Sequence, residues 1–377
     1  MSSFSPMSYT AGSKLIGRAS SALTVTFSEL ISYHERIKCY CVSDLHADSE
    51  KNQLWVKENC IRRDEDEGVF TVLILPGDVG SEIERLEQVF KTAVANYNAV
   101  VFVPGNHEAW RRGIAVGGSA TIPDERAEER MAIDSIVKLR EVMQCAKLNG
   151  VYVGPLRIQS LISNNARDAP STVNPASSVV VFPLYSWYHS GWDVEPEILH
   201  PDYLGVEEAM PFKRKWGDFA MCSWPDDLLS QADFCSIDND NTVLAEYFAA
   251  INEPFLSPIK PKSAAPESSS KQYSIYSNDE ADKAPNSNSE SQEPGSPLVQ
   301  ENDTIISFSH FLPRQELCPE KRFLLEPLLA KVVGSRFLEN QIRRLKPHVH
   351  LFGHTHIPID LELDGVRYVQ WPKGYAR

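Results

Sequence analysis

Five short blocks of metal-ligating residue types occur in one order along the chain. They are 44–46 (Asp-Leu-His), 77–78 (Gly-Asp), 105–108 (Gly-Asn-His-Glu), the single His310, and 353–356 (Gly-His-Thr-His). Carboxylates, imidazoles and an amide oxygen together suit Mn, Fe, Zn or Co better than Mg or Ca, which prefer shells made of oxygen alone. Two such ions roughly 3.5–4 Å apart clamp a phosphoryl group and lower the pKa of a bridging water towards about 7. The blocks therefore predict hydrolytic chemistry.

The spacing within the blocks suggests how ligands share an ion. Asp44 and His46 are two positions apart, so at the end of a strand they point the same way and can approach one cation together. His354 and His356 have the same spacing, and the glycine before them gives the backbone room to turn sharply. Each block alone is more simply an ordinary turn or a helix cap. The ordered set of five is what favours a site.

Short apolar strands are predicted directly before the blocks. Runs rich in β-branched or aromatic residues occupy 37–42, 70–75, 99–103, 304–308 and 348–352. Helical patterns at 82–97 and 124–147 lie between them, and this alternation indicates parallel β-α-β units with chemistry at the strand ends. A strand at 178–185 and a hairpin at 359–370, whose Asp364-Gly365 favours a type I′ turn, give enough strands for two sheets.

Together these motifs resemble the calcineurin-like metallophosphoesterase family. Its pattern of Asp-x-His, Gly-Asp, Gly-Asn-His-Glu, a lone His and Gly-His-x-His is complete here between Asp44 and His356. The resemblance implies an α/β fold (mixed α+β), a four-layer αββα sandwich of two mixed β-sheets flanked by helices, with a dinuclear metal site at the strand ends. It also implies a hydrolase acting on ester bonds, in which a metal-bridging hydroxide attacks a phosphate monoester or diester.

The same resemblance gives each block a role. One divalent metal would be held by Asp44, His46, Asp78 and His356, and the second by Asp78, Asn106, His310 and His354. Mn, Fe or Zn would suit these ligands. His107 would stabilise the transition state or protonate the leaving oxygen. His310 is the weakest of these ligands, because a lone His after a strand is often structural, and His189 is the alternative metal ligand. The buried strand that leads into His310 favours His310.

Residues beside the motifs narrow the function. Phosphoprotein phosphatases of this superfamily carry Asp-Arg-Gly after the Gly-Asp block and an Arg directly before Gly-Asn-His-Glu. Here Val-Gly-Ser occupies 79–81 and Pro104 stands in the Arg position, so a protein phosphatase is disfavoured. The block at 353–358 is more similar to small-molecule phosphoesterases and cyclic-nucleotide phosphodiesterases. A small-molecule phosphate ester is therefore the predicted substrate. A cyclic-nucleotide phosphodiesterase is the alternative prediction for the specific type of enzyme.

Four residues outside the metal ligands are candidates for binding the substrate. Arg111 and Arg314 each follow a motif histidine closely, and a guanidinium suits a phosphate. Trp187 and His189 belong to an aromatic cluster after the strand at 178–185, where core packing competes with a platform for a nucleobase or aryl group. Trp110 is also placed to stack on a base.

Composition limits the partners and the compartment. The formal net charge of -14 argues against a broad nucleic-acid surface, because such binding needs clustered Lys and Arg. No apolar run approaches the roughly 20 residues that span a bilayer, and scattered cysteines suit a reducing compartment. Residues 1–35 are predicted as a disordered or targeting tail. Cytoplasm is the default location, and the Ser-rich N-terminus leaves organelle targeting as the alternative.

The rest of the chain, 36–377, is predicted as one phosphoesterase domain with a polar loop at 159–177 and a disordered insertion at 257–303. The insertion has too few apolar residues to offset its ordering entropy. It separates three blocks from the last two, so a domain boundary there would leave two incomplete sites. A non-catalytic interaction scaffold is the alternative to an enzyme, although such relatives have lost ligands; no protein partner is indicated.

Overall fold

The computed structural model describes residues 23, 25–32, 36–61, 68–111, 133–160, 178–198, 212–256, 299–300, 302–324 and 326–375. Within this part of the chain, ten strands form two sheets. The smaller sheet is parallel throughout, with the strands β2 (Ile37–Cys41), β3 (Phe70–Pro76) and β4 (Ala99–Val103) in that order. Helices α1 (Glu50–Asn59) and α2 (Ile83–Asn96) are the crossovers between these strands, as parallel pairing requires.

The larger sheet is mixed and has seven strands. In spatial order they are β1 (Ser28–Ser32), β5 (Leu156–Ser160), β6 (Ser178–Pro183), β7 (Thr304–Phe308), β8 (Val349–Phe352), β10 (Val366–Gln370) and β9 (Ile359–Leu363). The β5–β6 and β9–β10 pairs are antiparallel and the other pairs are parallel. Asp364 and Gly365 both have positive φ, 51° and 79°, as the predicted type I′ turn between β9 and β10 requires.

Further helices flank the sheets. They are α3 (Ser135–Leu148), α4 (Phe212–Lys215), α5 (Gly217–Met221), α6 (Gln231–Phe234), α7 (Val243–Leu256) and α8 (Arg336–Leu345). Helix α2 buries Leu86, Val89, Phe90 and Ala93, which recur at helical spacing on one face. Strands β3 and β4 are buried along their whole length, as expected for parallel strands covered on both faces. The predicted fold of two sheets flanked by helices is thus confirmed.

The bounds of most elements agree with the sequence patterns. Strands β7, β9 and β10 have the predicted limits, and α2 confirms the helix expected at 82–97. The helix expected at 124–147 begins later among the described residues, at Ser135, where the Asp134 side chain accepts a hydrogen bond from the Val137 N–H. Residues 112–132 lie outside the described part. The smaller sheet is not mixed, because both of its connections are helical crossovers.

The N-terminal tail predicted at 1–35 extends too far along the chain. Strand β1 pairs in parallel with β5, so the sheet already includes Ser28–Ser32; residues 1–22 lie outside the described residues. Of the two insertions, the polar loop overlaps β5 at 159–160, and 161–177 and 257–298 are not described. Asp303, at the end of the second insertion, is buried and pairs with Arg157 of β5 (Nη2–Oδ1 2.9 Å). None of the described helices has the length and apolar character needed to span a membrane.

Candidate metal centre

Residues that follow five strands converge on one point. Strands β2, β3 and β4 of the smaller sheet lead to Asp44, Asp78 and Asn106, and β7 and β8 of the larger sheet lead to His310 and His354. The carboxyl ends of parallel strands meet at one edge of a sheet, which is where α/β proteins bind their ligands. Both sheets therefore contribute side chains to the same place.

Ligand atoms fall into two groups that share Asp78. One contains Asp44, His46, Asp78 and His356 and the other Asp78, His310 and His354; within each group the ligand atoms lie within 4.8 Å of one another. The Asn106 Oδ1 joins the second group, 3.0 Å from His310 Nε2 and 3.1 Å from His354 Nδ1. The structure thus brings all seven predicted ligand side chains together, in the two sets expected from the sequence.

Hydrogen bonds to backbone carbonyls set the tautomers of the second group. His310 Nδ1 lies 3.0 Å from the Pro76 oxygen and His354 Nε2 lies 3.0 Å from the Val332 oxygen. Carbonyls only accept, so each ring holds a proton on that nitrogen. When His310 is neutral, the lone pairs of its Nε2, of His354 Nδ1 and of Asn106 Oδ1 face one another across 3.0–3.1 Å. A divalent cation among them would satisfy all three, so this donor set fits a metal.

Buried charge also favours a cation here. Asp44 and Asp78 are buried, at 0% and 2% exposure. Burial opposes a charged His310, but the carboxylates of Asp78 and Asp44 outweigh it and raise the pKa of His310 to about 9. Burial likewise opposes a charged Asp78, yet the charge and the hydrogen bond of His310 hold the pKa of that carboxyl well below its usual value. The pocket therefore stabilises positive charge beside its two carboxylates.

Five of the seven ligands have left-handed backbones. The φ angles are 55° at Asp44, 43° at His46, 51° at Asp78, 79° at His354 and 58° at His356. Such conformations are uncommon for residues other than glycine and cost on the order of 1 kcal/mol or more each. The expectation that paired ligands share one face of an extended strand is therefore wrong, because β2 and β8 end before them. Turns of the backbone direct the paired ligands to the same ion-sized space, and the alternation of side chains along a strand does not.

Glu108 holds two of these turns together. Its buried carboxylate accepts hydrogen bonds from the backbone N–H groups of Asp78 (3.0 Å), Val79 (2.7 Å), Gly80 (3.0 Å) and Gly105 (2.7 Å). Burial and the nearby Asp78 charge raise the pKa of Glu108 to about 7, against the lowering effect of these donors. The fourth residue of the Gly-Asn-His-Glu block is thus a backbone anchor that joins the ends of β3 and β4.

Two motif glycines allow close approach of the chain. A Cβ on Gly105 would lie 2.3 Å from Asp78 Oδ1, and one on Gly353 would lie 2.9 Å from Asp44 Oδ2. The chain turns sharply after Gly353, as expected, since the Thr355 N–H donates to the Gly353 carbonyl at 3.0 Å; the glycine is needed there for its missing side chain and not for a positive φ. Larger residues would push the carboxylates out of the site.

Asp218 was not anticipated from the sequence. Its Oδ1 accepts from Asn106 Nδ2 and from Trp110 Nε1, both at 2.8 Å. Because the amide nitrogen of Asn106 is held in this way, its oxygen points towards His310 and His354. The two partners are 112 positions apart in the chain, and no spacing or motif connects them. Such outer partners fix the orientation of metal-ligating groups.

His107 lies beside the ligands without joining either group. Its ring stacks on Trp110 with centroids 3.6 Å apart, and its Nε2 lies 3.8 Å from Asp78 Oδ2. Burial lowers the pKa of His107 to about 3, so the ring is neutral near pH 7. Tyr375, also not anticipated, stacks on His46 (centroids 4.3 Å apart) and places its hydroxyl 3.4 Å from His107 Nε2.

A cavity of about 790 Å³ opens beside these residues. None of the four substrate-binding candidates lines it. Arg314 pairs with Asp364 (2.6 Å) and Glu316 (2.7 Å), and His189 Nδ1 lies 2.7 Å from Asp240. These pairings correct the expectation that either residue binds phosphate or a metal.

The other two candidates are placed elsewhere as well. Trp187 is 2% exposed and stacks on Phe248 in the core, so core packing and not a substrate platform is its role. Arg111 donates its backbone N–H to the Met221 carbonyl, and its side chain is outside the cavity lining. Trp110 does reach the cavity, as expected.

Comparison with known proteins agrees with this geometry. Residues 37–217 match the family model of the calcineurin-like phosphoesterases, and no curated protein sequence matches significantly. Among solved structures, phosphopantetheinyl hydrolase from Mycobacterium tuberculosis is similar, with a TM-score of 0.53 and 15% identity over 91% of each chain. At that identity the likeness concerns the fold alone. Motifs, family match and fold agree, and residues 37–217 are therefore assigned to the calcineurin-like phosphoesterases, a family of metal-dependent phosphoester hydrolases.

Proposed function

We propose that this protein hydrolyses a phosphate monoester or diester of a small molecule with the help of two divalent ions, with Mn, Fe or Zn favoured. The observation that carries the proposal is the pair of ligand groups that share Asp78. Bound ions would neutralise charge on the phosphoryl group. They would also lower the pKa of water, so that hydroxide is available to attack the phosphorus near neutral pH. The complete ligand set argues against a non-catalytic scaffold.

The protein's own residues would do the positioning. Asp44, His46, Asp78 and His356 would hold one ion, and Asp78, Asn106, His310 and His354 the other. The carbonyls of Pro76 and Val332 keep lone pairs aimed into the site, while Asp218 aims the Asn106 oxygen. With the ligands held in place before the ions bind, little reorganisation is needed.

His107 would act by hydrogen bonding. The lowered pKa leaves it neutral near pH 7, so a full proton is not available from it for the leaving oxygen. A neutral imidazole still donates one N–H to a phosphoryl oxygen as charge develops there. Of the two roles that the family resemblance leaves open, transition-state stabilisation is therefore favoured.

The cavity supports a small-molecule substrate. Its volume of about 790 Å³ lies within the usual range of roughly 300–1,000 Å³ for small-molecule sites. No arginine is found among the described residues that line it, in agreement with the Pro104 and Val-Gly-Ser departures from the protein-phosphatase pattern. No feature of the lining specifically favours a cyclic nucleotide.

Turnover of generic esters tests the proposal. Protein loaded with Mn, Fe or Zn is expected to hydrolyse p-nitrophenyl phosphate, its bis ester, or both, with release of nitrophenolate followed by absorbance. Asp78→Asn should abolish turnover and also lower the bound metal measured by elemental analysis, because one carboxylate serves both groups. The proposal is wrong if no metal supports hydrolysis, or if the Asn variant still binds two ions.

A further inference from the structure

One wall of the cavity has a chemistry unlike that of the ligand end. We define as the apolar wall the side chains of Trp216, Leu324, Leu329, Val333 and Ile357. Trp216 approaches the ligand end directly, because its ring meets that of His354 edge-on with centroids 5.9 Å apart. The apolar wall is thus continuous with the place where a phosphoryl group would bind.

The two tryptophans of the cavity present only hydrocarbon to it. The Trp216 Nε1–H donates to the Tyr188 hydroxyl at 3.0 Å, and the Trp110 Nε1–H donates to Asp218 Oδ1 at 2.8 Å. Since an indole has a single donor and no acceptor, neither ring has a polar group left for a substrate. The His107 ring covers one face of Trp110, so the indoles offer the cavity their remaining hydrocarbon surface.

Charged groups are few along the rest of the lining. Apart from the histidines, the described lining residues that carry charge are Asp78, Asp218 and Lys215. Both carboxylates belong to the ligand end, and Lys215 Nζ lies 3.6 Å from Glu326. The five side chains of the apolar wall offer a nucleobase or a sugar no free donor or acceptor, since their single N–H, on Trp216, is already bonded to Tyr188. Each polar group of the ligand left unpaired against this wall would cost roughly 1–3 kcal/mol. A hydrocarbon group would have no such cost.

The apolar wall is also held in register with the ligands. The short 3-10 helix Pro327–Val332 belongs to the same segment, and its Val332 carbonyl accepts the His354 Nε2–H at 3.0 Å. The preceding 3-10 helix, Lys321–Phe323, is anchored by the buried Lys321, whose Nζ lies 2.5 Å from Asp193 Oδ2. A group bound on the apolar wall would therefore keep a fixed position relative to the ions.

We propose that the natural leaving group is apolar, so that the substrate is the phosphate ester of an alkyl or aryl alcohol whose hydrocarbon binds on the apolar wall. This inference rests on the proposed phosphoesterase function and specifies its substrate class. The cavity residues, and not the ions, would provide the selectivity. Sugar phosphates and nucleotides are then poor substrates.

Alkyl phosphates of different length test this directly. Ethyl and octyl phosphate have leaving alcohols of nearly equal acidity, so a difference in kcat/KM reports binding of the chain. Each buried methylene is worth roughly fourfold, and burial of only two of the six additional methylenes predicts a preference for the octyl ester on the order of tenfold. Both esters are used below the concentration at which the octyl ester forms micelles, and the kcat/KM of ethyl phosphate is the measure of general activity.

Variants locate the effect. Leu329→Ala and Ile357→Ser should each reduce the octyl-to-ethyl ratio, whereas Leu54→Ser should not change it, because Leu54 is 56% exposed on α1 and outside the lining. Equal kcat/KM for the two esters, or a ratio unaffected by both wall variants, would overturn the inference while leaving the phosphoesterase proposal intact.

Binding of non-hydrolysable analogues separates the two proposals. If no ester is turned over, the phosphoesterase proposal fails, and the apolar wall is then tested by calorimetry with ethylphosphonate and octylphosphonate on the metal-loaded protein. We expect binding of octylphosphonate to be tighter by on the order of tenfold or more, and weaker in Leu329→Ala. Equal affinities would rule out an apolar subsite.

Discussion

Asp78 contributes to the site through both its carboxylate and its backbone. Its carboxylate belongs to both ligand groups, its Oδ1 accepts the His107 backbone N–H at 3.0 Å, and its own N–H is held by Glu108. Its backbone is left-handed as well. At this scale the ligands are defined as much by what orients them as by their own chemistry, and two predictions follow from the residues around Asp78.

His107→Ala should separate catalysis from metal binding. The ring lies 3.8 Å from Asp78 Oδ2 but belongs to neither ligand group, so both ions should remain bound. Loss of its hydrogen bond to the reacting phosphate should lower kcat by on the order of 10²–10³. Elemental analysis and steady-state kinetics measure the two effects. His348→Ala, at an exposed histidine outside the cavity lining, is the control and should be as active as the parent.

Asp218→Ala should weaken one metal more than the other. Without the carboxylate, the Asn106 amide loses the 2.8 Å bond that aims its oxygen at His310 and His354. Loss of an outer partner of this kind typically costs about 10–100-fold in metal affinity. Metal titration of this variant should show one binding step of lower affinity than in the parent. The control, Asp226→Ala, lies outside both ligand groups and should titrate like the parent. Two unchanged affinities would show that Asp218 does not orient the site.

The turns after β2, β3 and β8 matter more than the strands themselves. They carry the five left-handed ligands, and the strain of these turns must be offset by contacts elsewhere. Glu108 makes the densest of those contacts, with four backbone N–H groups from the ends of β3 and β4. The ends of β3 and β4, held together by the Glu108 carboxylate, are therefore what positions this part of the site.

Glu108→Gln tests that anchor. An amide keeps one accepting oxygen but turns its NH₂ towards backbone donors, so buried N–H groups lose their partner. We expect unfolding to become easier by about 3 kcal/mol, together with weaker metal binding. Denaturant titration of the metal-free protein measures the first effect. Glu58→Gln, at an exposed glutamate on α1, should change neither quantity.

On the scale of the whole molecule, distant segments close one domain. The Arg157–Asp303 pair joins β5 to the residue before β7, and both side chains are nearly inaccessible, at 4% and 2% exposure. The last two ligand blocks lie beyond this point in the chain. The pair thus helps to place the C-terminal strands in the same sheet as the strands before the insertion.

Asp303→Ala should therefore destabilise the fold without altering the chemistry. Removing Asp303 leaves the buried Arg157 charge with only the more distant Glu29 carboxylate (3.6 Å) as an anionic partner among the described residues, at a cost of roughly 3 kcal/mol. Thermal unfolding should shift downwards, while kcat at a low temperature should match the parent. Glu87→Ala breaks the exposed pair with Lys91 on α2 and is the control, with an expected change of about 0.5 kcal/mol or less. A similar small change at Asp303 would contradict the anchoring role.

The sequence was most informative where a local pattern has one physical solution. Alternating apolar residues and the Asp364-Gly365 pair predicted β9, β10 and their turn, because side-chain period and φ > 0 are local properties. It was least informative about substrate residues. Arg314, His189 and Trp187 have the right chemistry, but Asp364, Asp240 and Phe248, which come from distant segments, engage them elsewhere.

The sequence by itself determined the types and order of the metal ligands, since the five motifs carry the donor atoms and each follows a strand. The tertiary structure decided how they are aimed. Asp218, Glu108 and Tyr375 reach the ligands through contacts that no local pattern encodes, and the left-handed turns bring the paired ligands together. The apolar wall likewise exists only once segments far apart in the chain are packed together, because a cavity is a property of the folded surface and not of any one segment.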